Sequence, residues 1–151
     1  AGLALTAVQV AGVIGRIAWG VLADRMRSGF RALVINALLT ALSALATVFI
    51  APDWPVGLVY VLFFIFGFTA MGWNGVFAST VVEQSPEGKA GNMTGAALFF
   101  TFSGVIVGPA VFTLGYQLVG TYSGSFMVTA LLALAGTGTI LLAAKGARKS
   151  L

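Results

Sequence analysis

Cysteine and histidine are both missing from this chain of 151 residues. Without cysteine there is no disulfide and no thiolate metal site. Without histidine the commonest metal ligand and general base is gone as well. No metal site and no cofactor are expected. Charge is scarce: 8% of residues carry one, against about 25% in a soluble domain. The acids are Asp24, Asp53, Glu83 and Glu87. All fall near the ends of apolar runs, so no pair shares a depth at which it could relay protons or do acid–base work. The chain is therefore not read as an enzyme. No glycine-rich phosphate loop ends in Lys, which argues against an ATP-driven pump. The net charge of +4 does not point to nucleic acid, because the cations are few and have no interleaved aromatics on a polar face.

What the chain has is apolar length. Hydrophobic residues make up 59% of it, and such a surface is compatible with lipid rather than water. A helix needs about 20 apolar residues to cross a bilayer. Five stretches qualify: about 1–22, 32–51, 56–82, 91–118 and 125–144. The last two are divided by Val119–Ser125, which is rich in turn-forming Gly and Ser. Period-two alternation, the mark of a membrane barrel, is missing. Runs this long should be helical, since lipid offers no partner to open backbone groups. The fold class is an all-α membrane protein, a polytopic bundle of five transmembrane helices. Apolar sequence begins at once at Ala1, with no charged region before it and no cleavage site after it, so residues 1–22 are not a signal peptide. The chain reads as a piece of something longer.

The cations set the orientation. Arg25, Arg27 and Arg31 lie in the first connection, Lys89 in the third, and Lys145, Arg148 and Lys149 in the C-terminal tail. The second and fourth connections have no Lys or Arg. That alternation places the first and third connections and the C-terminus in the cytoplasm. Trp54, Tyr116 and Tyr122 are expected as anchors at the opposite interface.

The first connection reads Gly20-Val-Leu-Ala-Asp24-Arg25-Met-Arg27-Ser-Gly29-Phe-Arg31. It resembles the signature loop of the major facilitator superfamily, Gly-xxx-Asp-Arg-x-Gly-x-Arg-Arg. Here two extra residues precede Gly29, and Ala32 replaces the last Arg. Gly20 is expected to admit a close backbone, Gly29 to permit the tight turn, and Asp24 to face a helix N-terminus or a cation. The resemblance implies a conformational latch made by Gly20, Asp24, Arg25, Gly29 and Arg31; the alternative is that the charges only enforce topology. In the fourth span Gly95, Gly104 and Gly108-Pro109 reproduce most of the superfamily's glycine-proline motif, with Phe112-Thr113 where the final Gly-Gly would stand. Gly104 and Gly108 form a small-xxx-small face for helix packing, and Pro109 should kink the helix.

The third span carries no Lys or Arg, unlike the fourth helix of the N-terminal half, and contains Gly72-Trp73-Asn74-Gly75 followed by Pro86 and Gly88. It looks like the tenth helix of many bacterial members. Residues 1–151 are therefore read as a partial C-terminal bundle, helices eight to twelve. The resemblance implies a bacterial inner membrane and an N-terminal half as partner.

Arg16 is the one cation inside a span. Holding such a charge in lipid costs at least about 2.5–3.5 kcal/mol, so it is a candidate site residue. Guanidinium suits carboxylate or phosphate. Gln9 lies on the same helix face, and Asn74 and Trp73 are further candidates. In the monocarboxylate and oxalate branches an Arg near this place engages the substrate carboxylate; the Asp that accompanies it in monocarboxylate carriers is Gly12 here. The alternative is that Arg16, about one turn and a half from the connection, snorkels to headgroups or pairs with Asp24. The resulting expectation is a fragment of a secondary transporter of a small anion. Drug or sugar efflux and a non-transporting membrane scaffold are the alternatives.

Overall fold

A computed structural model describes residues 2–149, with side chains described except at residues 4 and 147–149. Arg148 and Lys149, two of the tail cations, thus have side chains outside the described set. The chain folds into helices α1 (Gly2–Met26), α2 (Gly29–Val48), α3 (Val56–Ala70), α4 (Trp73–Glu83), α5 (Ala90–Val119) and α6 (Tyr122–Lys149). Among the described residues five stretches are long and apolar enough to cross a membrane, with α3 and α4 together making the third. The protein is an all-α membrane bundle. The third span departs from expectation: it is broken at Met71–Gly72 rather than continuous.

Local chemistry explains the helix ends. α1 closes with a Schellman motif, in which the Ser28 N–H donates to Ala23 O (3.3 Å) and the Arg27 N–H to Asp24 O (3.1 Å). Arg27 takes the left-handed conformation that this requires, φ 49°. Ser28 then caps α2, its Oγ accepting from the Arg31 N–H at 3.3 Å. The turn that Gly29 was expected to permit is therefore made one and two residues earlier, at the inserted position. Gly29 instead lies against Thr80 of α4, where a Cβ would collide with the Thr80 hydroxyl. The α5–α6 connection is also shorter than expected. Gly120 ends α5 at φ 74°, and Thr121 Oγ1 accepts from the Gly124 N–H at 3.2 Å, starting α6 three residues before the predicted Ser125.

α1 packs on α3 and α4, and α2 packs on α6. The buried centre is Trp19, Ala23, Ala32, Leu33 and Val76, with Phe68, Trp73, Phe77 and Ile140 around it. α5 contributes little to this core; it packs on α6 and α4, and Gly115 is its one buried residue. α5 runs through Pro109 as one helix. Gly95, Gly104 and Gly108 have nothing within 4 Å of a would-be Cβ, so their expected packing face is open among the described residues. Gly20 likewise has no close neighbour among the described residues. The close approaches are made elsewhere, by glycines of α1 and α3.

Candidate functional site at the broken helix

The α1 segment Ala11-Gly12-Val-Ile-Gly15-Arg16-Ile-Ala-Trp19 puts small residues and one indole on the face turned to the break. A Cβ on Gly15 would run into the Phe68 backbone, and one on Gly67 into that of Val8. Gly12 abuts the Met71 side chain, 2.9 Å from a would-be Cβ. Gly72 is wedged between Phe68 O, Trp19 and the Gly15 backbone. Two helices this close must meet through glycine.

The break frees a carbonyl. In an unbroken helix Phe68 O would take the Gly72 N–H, but that N–H donates to Thr69 O at 3.3 Å instead. Trp19 Nε1 supplies the replacement, donating to Phe68 O at 3.2 Å. Its ring also packs on Phe68, with centroids 6.1 Å apart. Irregular backbone at membrane depth survives when such a neighbour satisfies it. Neither Trp19 nor Gly15 was singled out from the sequence. The signal was present in the Gly12, Gly15 and Trp19 spacing on one face and in the Gly67…Gly72 pair.

Arg16 stands on the other side of this contact. Its backbone oxygen lies 3.9 Å from a would-be Cβ on Gly75, so it is level with the first turn of α4. Its side chain is exposed, as are those of Gln9 and Asn74. The Asn74 amide makes a long bond to Met71 O, 3.4 Å. α1 continues about ten residues past Arg16, to Met26, which at about 1.5 Å per residue is about 15 Å. That is half of a hydrocarbon core of about 30 Å. Asp24 and Arg25 already lie within the last turn of α1, so the charged end of the helix begins eight residues past Arg16. Asp24 is about 12 Å further along the same helix by the same rise.

Trp73 parts company with Asn74. It is half-buried, donates to Ala70 O at 3.1 Å, and meets Phe77 edge-on at 5.4 Å. It lines a separate cavity of about 580 Å³ between α2, α4 and α6, together with Asn36. Asn36 is 3% exposed and its Nδ2 has no hydrogen-bond partner among the described residues.

The signature loop forms a second polar place. Asp24, Arg27, Ser28 and Gly29 line a cavity of about 290 Å³ with Ser79 and Glu83 of α4. Arg27, in the region of the insertion, thus sits with Asp24 and Glu83. Arg31 does not line it and faces a different cavity, with Lys145.

A family model for the Major Facilitator Superfamily matches residues 1–109. The chain belongs to the major facilitator superfamily. The match covers α1 through α4, with the signature loop and the broken span, and reaches Pro109 in α5. No curated protein and no solved structure matches the chain. As a superfamily member the chain is an integral, multi-pass membrane protein of a transporter family, a class distinct from enzymes.

Proposed function

We propose that this chain is the larger part of the C-terminal bundle, helices eight to twelve, of a secondary transporter for a small organic or inorganic anion. It would work by alternating access against an N-terminal half, in a bacterial inner membrane with the C-terminus cytoplasmic. The observation that carries the substrate class is Arg16: an exposed guanidinium about 15 Å from the end of its helix, level with a broken span. An unpaired cation at that depth is costly in lipid and favourable in a wet cavity that admits anions. Discontinuous helices are a recurrent setting for substrate sites near the midplane. Gln9 and Asn74 are exposed, uncharged hydrogen-bonding groups that could join Arg16. Trp73 is better assigned to packing. The latch is carried by Asp24 and Gly29, with Arg27 and Glu83 joining them.

The test is flux through the full-length transporter in proteoliposomes, with a panel of carboxylates, phosphate and sulfate. Arg16→Ala is expected to abolish uptake and Arg16→Lys to retain part of it. Unchanged flux in Arg16→Ala would sink the anion site. Flux absent for every solute in the wild type would favour a scaffold.

A further inference from the structure

Arg31 at the start of α2 and Lys145 near the end of α6 line one cavity of about 500 Å³. Its remaining wall is largely apolar and includes Val34, Ile35 and Leu141. From each cation an exposed apolar stripe leads toward the membrane interior. On α2 it is Ile35, Leu38 and Leu42; on α6 it is Leu141 and Leu134. The spacing from each cation, four, seven and eleven residues, keeps both stripes on one helix face. Gly138, at the vacant seventh position on α6, has nothing within 4 Å, so the groove is open there. From Arg31 to Leu42, and from Lys145 to Leu134, is about 16 Å at about 1.5 Å per residue. Half of the roughly 30 Å hydrocarbon core is about 15 Å.

We propose that this groove binds an anionic phospholipid. Its phosphate lies between Arg31 and Lys145, and an acyl chain runs along the two stripes for the depth of one leaflet. The charge sign, the apolar wall and the matching length all select this occupant. A free anion would use the cations and leave the stripes idle. A helix of another protein would match the stripes but has no reason to carry a negative group at the Arg31 level. The inference needs only the membrane placement and is independent of what Arg16 binds.

The experiment is lipid retention. The full-length transporter is equilibrated with mixed phosphatidylglycerol and phosphatidylcholine, purified, and its bound lipid counted by mass spectrometry. Phosphatidylglycerol should be enriched. Lys145→Gln, an exposed position outside the signature loop, should lower that enrichment about fivefold, the ratio equivalent to the roughly 1 kcal/mol a cation contributes at an anionic surface. Adding Arg31→Gln should lower it by a similar factor again; should that variant fail to fold, the Lys145→Gln arm decides alone. Lys89→Gln, a cation outside the groove, should change nothing. No enrichment in the wild type, full enrichment in Lys145→Gln, or an equal loss in Lys89→Gln would each overturn the proposal. Competition by inorganic phosphate with no lipid retained would show a site for the free ion instead.

Discussion

Replacing the Trp19 indole with a ring that lacks the N–H should destabilise the bundle while leaving its packing in place. The residue is 3% exposed and its Nε1 is 3.2 Å from Phe68 O. That carbonyl lost its helical donor when the Gly72 N–H turned to Thr69 O. Removing the indole donor leaves a part-buried acceptor without a partner. Stranding such a group costs about 1–3 kcal/mol, and the bilayer core supplies no water to offset it. A benzothienyl-alanine at position 19, introduced by nonsense suppression, keeps the bicyclic shape and replaces N–H with sulfur. The expected loss is about 2 kcal/mol, read from equilibrium unfolding in mixed micelles. Trp19→Phe should lose more, because it adds a packing defect worth about 1 kcal/mol or more. A benzothienyl variant within about 0.5 kcal/mol of wild type, the scatter expected of surface changes, would show that the Phe68 carbonyl is satisfied otherwise. The account of the break would then fail.

Three further outcomes follow from the same geometry. Gly15→Leu should unfold or separate α1 from α3, since even a Cβ there meets the Phe68 backbone, whereas Gly104→Leu in α5 should leave the stability of this bundle nearly unchanged; paired unfolding curves check both. At Arg27, φ 49°, Val should be less stable than Gly by about 1–2 kcal/mol, because both lose the charge and only Val resists the left-handed backbone. Asn36→Leu should raise stability by about 1–3 kcal/mol, because it removes an orphaned buried amide beside a cavity with room for the new methyls; a lower midpoint in thermal unfolding would mean that Asn36 has a partner in the membrane.

The five spans, the membrane class and the family loop were legible because each rests on composition or on local spacing. Apolar runs and the absence of charge need no tertiary knowledge. The break at Gly72 was not legible as a break. Its sequence is apolar throughout, and what permits it is a hydrogen bond from a residue 49 positions earlier. Glycine was the least legible residue. Gly104, Gly108 and Gly20 stand in motifs, yet they meet nothing among the described residues. Gly12, Gly15 and Gly67 stand in no motif that was recognised, and Gly72 was noted only within Gly72-Trp73-Asn74-Gly75, yet these four bring α1 and α3 together. A glycine's use is decided by the neighbouring backbone, which local spacing does not reveal. Arg27 shows the same limit. As an insertion it looked incidental, yet it closes α1 and lines the polar cavity of the signature loop.

The broken helix and Arg16 belong to one arrangement. Gly72 can lie against α1 only because Gly15 offers no side chain there, and Trp19 can reach Phe68 O only because the two helices are that close. The same approach fixes the level of Gly75 against the Arg16 backbone. Arg16 therefore cannot change depth without sliding the α1–α3 contact, and that contact is held by glycines that leave no slack. The Arg16 backbone is thus held at this level, and only its exposed side chain can reorient. Any motion that shifts the Arg16 backbone has to carry α1, α3 and α4 together.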